Sequence, residues 1–163
     1  MKKVLVGVIV GSKSDLPFME ETIKVLKSFK IPCELKILSA HRNPDETKKY
    51  AFNAQKKGIE VIIAAAGLSA HLAGALAAKT ILPVIGIPLP GKPLKGIDAF
   101  LSTLQMPSGI PVATMSIGKP GAKNSAILAA EILALKYPEI RKKLKEYRKK
   151  LSKSTNKNYI TKL

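Results

Sequence analysis

Two short polar segments carry the residue types with which this chain could do chemistry. One is Gly11-Ser12-Lys13-Ser14-Asp15, the other is Ser39-Ala40-His41-Arg42, and each follows a short apolar run. A glycine turn followed by amides and hydroxyls at the start of a helix favours an anion. Arg42 adds a guanidinium group that suits phosphate, and His41 adds an imidazole that exchanges protons near neutral pH. Together the segments predict a site for a phosphorylated small molecule with a proton-transferring histidine.

The other titratable residues near these segments have more open roles. The Asp15 carboxylate would repel a phosphate, so we expect it to accept hydrogen bonds from neighbouring sugar hydroxyls. His71 lies at a predicted helix start among alanines and leucines, where a packed histidine and a catalytic one are both consistent with the sequence. Two histidines without close acidic partners predict no metal site. Cys33 is the only cysteine, which excludes a disulfide within the chain and is typical of a small buried apolar residue.

The segment 86–93 has the glycine and lysine spacing of a nucleotide-binding P-loop. Pro93 stands where a P-loop has the Ser or Thr that holds magnesium, and Pro88 and Pro90 remove amide donors that a phosphate would need. We therefore exclude an ATPase. The chain also has no glycine-rich dinucleotide motif after its first strand and no serine elbow, so nicotinamide-dependent and hydrolase activities lack support.

Strands and helices alternate along the predicted chain. Apolar, β-branched runs predict five strands, and the periodic segments that follow them predict helices. The predicted strands are 4–10, 33–38, 60–66, 83–87 and 112–116, and the predicted helices are 15–31, 43–58, 68–79, 97–104 and 122–135. This order predicts an α/β three-layer sandwich with a parallel, flavodoxin-like sheet, plus a C-terminal helix. Ligands bind such sheets at the carboxyl ends of the strands, where both polar segments and the segment 66–71 are expected to meet.

The net charge of +17 is concentrated toward the end of the chain, where residues 136–163 hold 11 of the 28 Lys and Arg residues. Apolar residues at helical spacing there predict a terminal helix with a solvated basic face, and a nucleic-acid arm is the alternative. We expect one domain over residues 1–152 and a basic, disordered tail over 153–163, with nucleic acid not a primary partner. No apolar run of eighteen residues and no signal-type cleavage site occur, so we expect a cytoplasmic protein without membrane contact.

Taken in order, the motifs closely resemble the carboxyaminoimidazole ribonucleotide mutase family of purine biosynthesis. The resemblance runs from Val4 to about Leu135 and is carried by Gly11–Asp15, Ser39–Asp45, Gly67 with Ala70-His71-Leu72, Ala78–Thr80, Gln105–Ala113 and Ile117–Lys119. It implies an isomerase that moves the carbamate on the exocyclic nitrogen of the ribonucleotide to ring carbon 4. Carbon dioxide is released and trapped within the site during this transfer, and the family needs no metal and no organic cofactor.

The resemblance also implies roles for individual residues. His41 would act first as general acid and then as general base, and Asp15 would bind the ribose hydroxyls. The phosphate would be held by Ser12, Ser14, Ser39 and Arg42. Ala66, Gly67 and Leu68 would line the carbon dioxide pocket, and His71 would contact the substrate. Family members are homo-octamers with sites at subunit borders, which makes the small-residue helix from Ala70 to Ala78 a candidate packing surface.

The chain departs from the family pattern in one loop. The usual Gly-Gly-Ala-Ala-His-Leu-Pro-Gly is here Gly67-Leu68-Ser69-Ala70-His71-Leu72-Ala73-Gly74, which is bulkier at its second position. A related branch carboxylates aminoimidazole ribonucleotide with free carbon dioxide and has lysine at the position of Arg42, so Arg42 favours the mutase. The alternative from another class is a non-catalytic, flavodoxin-like module that binds a phosphate ligand. That alternative predicts aromatic residues beside the ligand, and the strand-end loops contain none.

Overall fold

A computed structural model describes residues 3–155. Its five strands form one parallel sheet in the order β2-β1-β3-β4-β5. The strands are β1 (Val6–Val10), β2 (Cys33–Ile37), β3 (Val61–Ala66), β4 (Val84–Pro88) and β5 (Ala113–Thr114). This order confirms the predicted flavodoxin-like sheet. Because β1 lies between β2 and β3, the order in which the chain adds strands to the sheet changes direction at β1.

Six helices cover the two faces of the sheet in the described part of the chain. They are α1 (Leu16–Ser28), α2 (Pro44–Ala54), α3 (Leu72–Ala77), α4 (Ile97–Leu104), α5 (Lys119–Ala134) and α6 (Pro138–Thr155), with 3₁₀ turns at Lys13–Asp15 and Gln55–Lys57. One buried cluster packs Val8 against Leu26 of α1 and Ala126 of α5. The second packs Ile62 against Leu76 of α3 on the opposite face. The predicted three-layer sandwich is confirmed.

Small residues bring α5 close to the sheet and to α1. The alanines at positions 122, 126, 129 and 130 recur on one face of α5, and all are fully buried. A Cβ atom at Gly121 would overlap the carbonyl oxygen of Ser116, so only glycine allows this approach. The buried Thr22 hydroxyl of α1 donates a hydrogen bond of 2.8 Å to the Ala122 carbonyl. The helix that follows the first polar segment is therefore anchored to the next helix of the same layer.

The third helix begins later than predicted. It starts at Leu72 rather than Leu68, because Leu68 and Ala70 have left-handed backbone angles, with φ values of +54° and +34°. An α-helix of L-residues requires right-handed angles at every position. The segment from Gly67 to His71 is therefore a loop. Leu72 and Leu76 are buried within the subunit, while Gly74 and Ala75 are partly exposed, and the predicted packing surface on this helix stays a prediction.

The other differences lie at the ends of elements. The fifth strand has two residues rather than the five predicted over 112–116, and α5 begins at Lys119, directly after Gly118 with φ +73°. The terminal helix α6 continues to Thr155, past the predicted domain end at residue 152. Its residues Ile140 and Leu144 join the buried cluster. Residues 156–163 of the predicted tail lie outside the described residues.

Helix lengths and compositions also bear on membrane contact. Within residues 3–155, every helix is too short or too polar to cross a bilayer.

Candidate active site

Four loops at the carboxyl edge of the sheet enclose one cavity of about 660 Å³. They follow β1, β2, β3 and β4, the four adjacent strands from one edge of the sheet. Every residue that the sequence analysis assigned to the site lines this cavity: Ser12, Ser14, Asp15, Ser39, His41, Arg42, Ala66, Gly67, Leu68 and His71. The prediction that three loops converge at the carboxyl ends of the strands therefore agrees with the geometry. The individual roles of these residues stay predictions.

The first loop is organised by its own hydroxyl groups. The Ser12 side chain caps the 3₁₀ turn by accepting a hydrogen bond from the Ser14 amide at 3.3 Å. The Ser14 hydroxyl lies 3.0 Å from the Ser12 oxygen. Burial raises the pKa of the neighbouring Asp15 carboxyl, although hydrogen bonds from this loop and the charge of Arg42 oppose the shift. The loop thus presents hydroxyls beside a half-buried carboxyl.

Arg42 connects the second loop to the first. Its Nη2 donates a hydrogen bond of 2.6 Å to the Gly11 carbonyl oxygen, and its Nε donates to the Ser39 hydroxyl at 3.4 Å. The Arg42 amide also donates to the Ser39 hydroxyl, at 3.2 Å. Asn43 adds a further contact by accepting a hydrogen bond of 2.6 Å from the Ser39 amide. The guanidinium group is therefore held at the cavity with other N–H groups still able to bind an anion.

The two histidines meet across the cavity. Nε2 of His41 lies 2.7 Å from Nδ1 of His71, and the rings are nearly perpendicular with centroids 4.9 Å apart. At this distance one nitrogen carries a proton and the other accepts it. His71 is exposed rather than packed in the core, which argues against the packed alternative, and its role in the site stays a prediction. The cavity is also lined by Asp15, Arg42 and Lys92.

The fourth wall was missed by the sequence analysis. It consists of Leu89, Pro90, Gly91 and Lys92, which lie in the segment that had been excluded as a P-loop. The available signal was position, since this loop follows β4 and the carboxyl ends of adjacent parallel strands lie together. The proline pattern argued against a P-loop, but it did not argue against another kind of site.

For metal binding, the described residues contain few candidate ligands. Across residues 3–155, no group of three or more His, Cys, Asp and Glu residues is placed to hold an ion. Cys33 lies half-buried on β2 and is not among the residues that line the cavity. Burial raises the pKa of its thiol, which disfavours the thiolate that a metal would bind.

Comparison with known proteins gives one consistent result. A family model described as AIR carboxylase matches residues 5–154. The N5-carboxyaminoimidazole ribonucleotide mutase of Pyrococcus abyssi is 56% identical over 148 residues, which cover 91% of this chain and 84% of that protein. The protein of the same name from Thermotoga maritima is 52% identical over 91% of this chain and 85% of its own length. A crystal structure of Treponema denticola PurE has a TM-score of 0.82 at 30% identity and covers 93% of each chain.

The Asp15 carboxyl gives a pH-dependent prediction. Because its pKa is raised on folding, the folded state binds this proton more tightly, and its ionisation destabilises the fold as the pH rises through that pKa. We therefore expect Asp15→Asn to have a higher melting temperature than the wild type near neutral pH. The difference should shrink as the pH falls toward the ordinary Asp pKa of about 3.9. Thermal unfolding across this range measures it, with Glu20→Gln on the exposed face of α1 as the control. A constant difference at every pH would contradict the assignment.

Proposed function

Because this chain belongs to the AIR carboxylase family, we propose that it is a mutase of purine biosynthesis that converts N5-carboxyaminoimidazole ribonucleotide to 4-carboxy-5-aminoimidazole ribonucleotide. The observation that carries the proposal is the 2.7 Å contact between His41 and His71, beside Arg42 in one cavity. Such a site combines a proton donor and acceptor with an anchor for a phosphate. Both are required by an isomerisation of a ribonucleotide that moves one carboxylate.

The proposed chemistry is a redox-neutral transfer in two steps. In the first step the carbamate N–C bond breaks, its electron pair stays on the exocyclic nitrogen, and His41 donates a proton to that nitrogen. Carbon dioxide and aminoimidazole ribonucleotide are formed within the cavity. In the second step ring carbon 4 attacks carbon dioxide and then loses its proton to His41, which returns the enzyme to its starting state. Holding carbon dioxide beside its acceptor is catalysis by proximity. The balance requires no organic cofactor and no metal.

The remaining cavity residues supply binding in this proposal. The phosphate is bound by the hydroxyls of Ser12, Ser14 and Ser39 together with Arg42. The Asp15 carboxylate accepts hydrogen bonds from the ribose hydroxyls, and Ala66, Gly67 and Leu68 line the space for carbon dioxide. His71 contacts the substrate and holds the imidazole of His41 in one orientation. The support is that all of these side chains or backbone segments border one cavity.

The second candidate function is carboxylation of aminoimidazole ribonucleotide with free carbon dioxide. It is favoured by the description of the family model, which names a carboxylase. Arg42 favours the mutase instead, because the carboxylating branch has lysine at that position. The relatives named as mutases also match over most of their length.

The substrate assay distinguishes the candidates. The purified protein is mixed with N5-carboxyaminoimidazole ribonucleotide, and in a parallel reaction with aminoimidazole ribonucleotide plus bicarbonate, while absorbance reports the carbon 4 carboxylate. We expect rapid conversion in the first reaction only. A preference for the second reaction would indicate the carboxylase, and no conversion in either would favour a non-catalytic module that binds a phosphate ligand.

Two neighbouring substitutions should separate chemistry from binding. His41→Asn should lower kcat by at least about a hundredfold, because the proton donor and acceptor is lost, while substrate still binds. Arg42→Ala should mainly raise KM, by about 10- to 100-fold, because a charge-assisted anchor for the phosphate is lost. Steady-state kinetics and calorimetric binding of the product measure both. Near-normal turnover by His41→Asn would refute its assigned role.

We further propose that the protein assembles as a homo-octamer in the cytoplasm. The support within the described residues is an exposed apolar surface on α4, formed by Ile97, Leu101 and Leu104 with exposed fractions of 54%, 48% and 48%. These residues share one face of the helix, since they are spaced by four and three positions. A contiguous exposed apolar surface of this kind is typical of a protein interface.

A charged substitution tests whether the α4 surface is a subunit interface. We expect Leu101→Lys to dissociate the octamer into smaller species, because an interface would bury the introduced ammonium group without a partner. Light scattering after size-exclusion chromatography gives the mass of each species. Leu135→Lys, which changes an 80% exposed leucine beyond the end of α5, is the control. An unchanged mass for Leu101→Lys would place the interface elsewhere.

A further inference from the structure

Leu68 has a strained backbone at the rim of the cavity. Its φ of +54° lies in the left-handed region, where the Cβ of an L-residue approaches the following carbonyl oxygen too closely. Glycine has no such penalty. The chain therefore keeps a large side chain at a position where the backbone favours none. Strain of this kind persists where the surrounding structure enforces it, and it is concentrated at functional sites.

The Leu68 side chain connects two walls of the cavity. It starts in the loop after β3 and reaches the loop after β4, where a Cβ built on Gly91 would lie 3.4 Å from Leu68 Cδ2. Both residues line the cavity, together with Ala66 and Leu89. Leu68 is 57% exposed, so its side chain borders the opening rather than filling the core. The 3.4 Å from Leu68 Cδ2 to a Cβ at Gly91 is an ordinary van der Waals distance, so the Leu68 side chain lies against the loop after β4.

We propose that Leu68 is an apolar flap that retains carbon dioxide between the two steps of the transfer. This proposal rests on the function proposed above. Carbon dioxide is uncharged and apolar, so the charged groups of the cavity hold it poorly and its retention depends on the walls. An apolar side chain at the edge of the opening slows its escape and limits the entry of water.

The flap changes where carbon dioxide goes and not how bonds break or form. The N–C bond of the carbamate still breaks with its electron pair on nitrogen, and the new C–C bond still forms at ring carbon 4. A weakened flap should therefore increase two products of leakage, namely free aminoimidazole ribonucleotide and product that carries carbon from the solvent. Neither product would increase if Leu68 served only to pack the loop.

The experiment measures leakage per turnover. N5-carboxyaminoimidazole ribonucleotide is converted in the presence of ¹³C-bicarbonate and carbonic anhydrase, and conversion without the protein is subtracted. Mass spectrometry gives the labelled fraction of the new carboxylate, and chromatography gives free aminoimidazole ribonucleotide per product formed. The wild type is compared with Leu68→Gly, Leu68→Ala and Leu68→Met. Leu135→Ala is the control for loss of an exposed leucine away from the cavity.

We expect Leu68→Gly to raise leakage about tenfold, the factor that corresponds to removing one large apolar side chain from the barrier. Leu68→Ala should be intermediate, Leu68→Met should leak less than Leu68→Ala, and Leu135→Ala should match the wild type. The melting temperature of Leu68→Gly should be equal to or above that of the wild type, because glycine relieves the backbone strain.

Two results would contradict the proposed role of Leu68. One is leakage by Leu68→Gly within about twofold of the wild type while product is still formed. The other is loss of product without release of aminoimidazole ribonucleotide, which would make Leu68 part of the chemical machinery. Failure of the proposed function itself is a separate result, because the wild type would then convert no substrate, and the flap would be rejected with it.

Discussion

The parallel direction of the strands is the constraint from which the site follows. Because all five strands run the same way, each loop at a carboxyl end lies on the same edge of the sheet. The position of β1 between β2 and β3 brings the hydroxyl loop beside the loop that carries His41 and Arg42. The bond from Arg42 to the Gly11 carbonyl then joins these two loops directly. Residues about thirty positions apart in sequence thereby become neighbours in one cavity.

The electrostatic character of the cavity is mixed, and that mixture suits a ribonucleotide better than a bare anion. Cationic groups from Arg42 and Lys92 line the same space as the half-buried Asp15 carboxyl and the two imidazoles. A phosphate is matched by cations and amides, and sugar hydroxyls are matched by a carboxylate. The apolar residues Ala66 and Leu89 border the same space. Binding, proton transfer and retention of a neutral gas can thus be assigned to different parts of one cavity.

Sequence reasoning predicted the layers, the strand order and most polar residues of the first three cavity loops, because these features leave signals in local residue types. Runs of β-branched residues predict buried strands, and the residue types of Ser39-Ala40-His41-Arg42 indicate anion binding and proton transfer. The left-handed angle of Leu68 was not predictable, since a leucine gives no local reason to expect it. The contact of His41 with His71 and the wall formed by Gly91 and Lys92 depend on tertiary distances. These residues lie far apart in the sequence, so local residue types do not reveal that they are close in space.

The buried bond between Thr22 and the Ala122 carbonyl helps to hold the elements that position the first cavity loop. It joins α1 to α5, and the Arg42 bond joins the second loop to the first, so the loop before α1 is linked both to the next loop and to the helix layer. The loops after β3 and β4 form the other two sides, and the contact of His41 with His71 joins the loop after β3 to the second loop. Those loops contain the left-handed residues Leu68, Ala70 and Lys95, whose backbones lie above their lowest energy. In the described residues, three of the four non-glycine residues with left-handed angles thus lie in these two loops, and the fourth, Lys30, lies between α1 and β2.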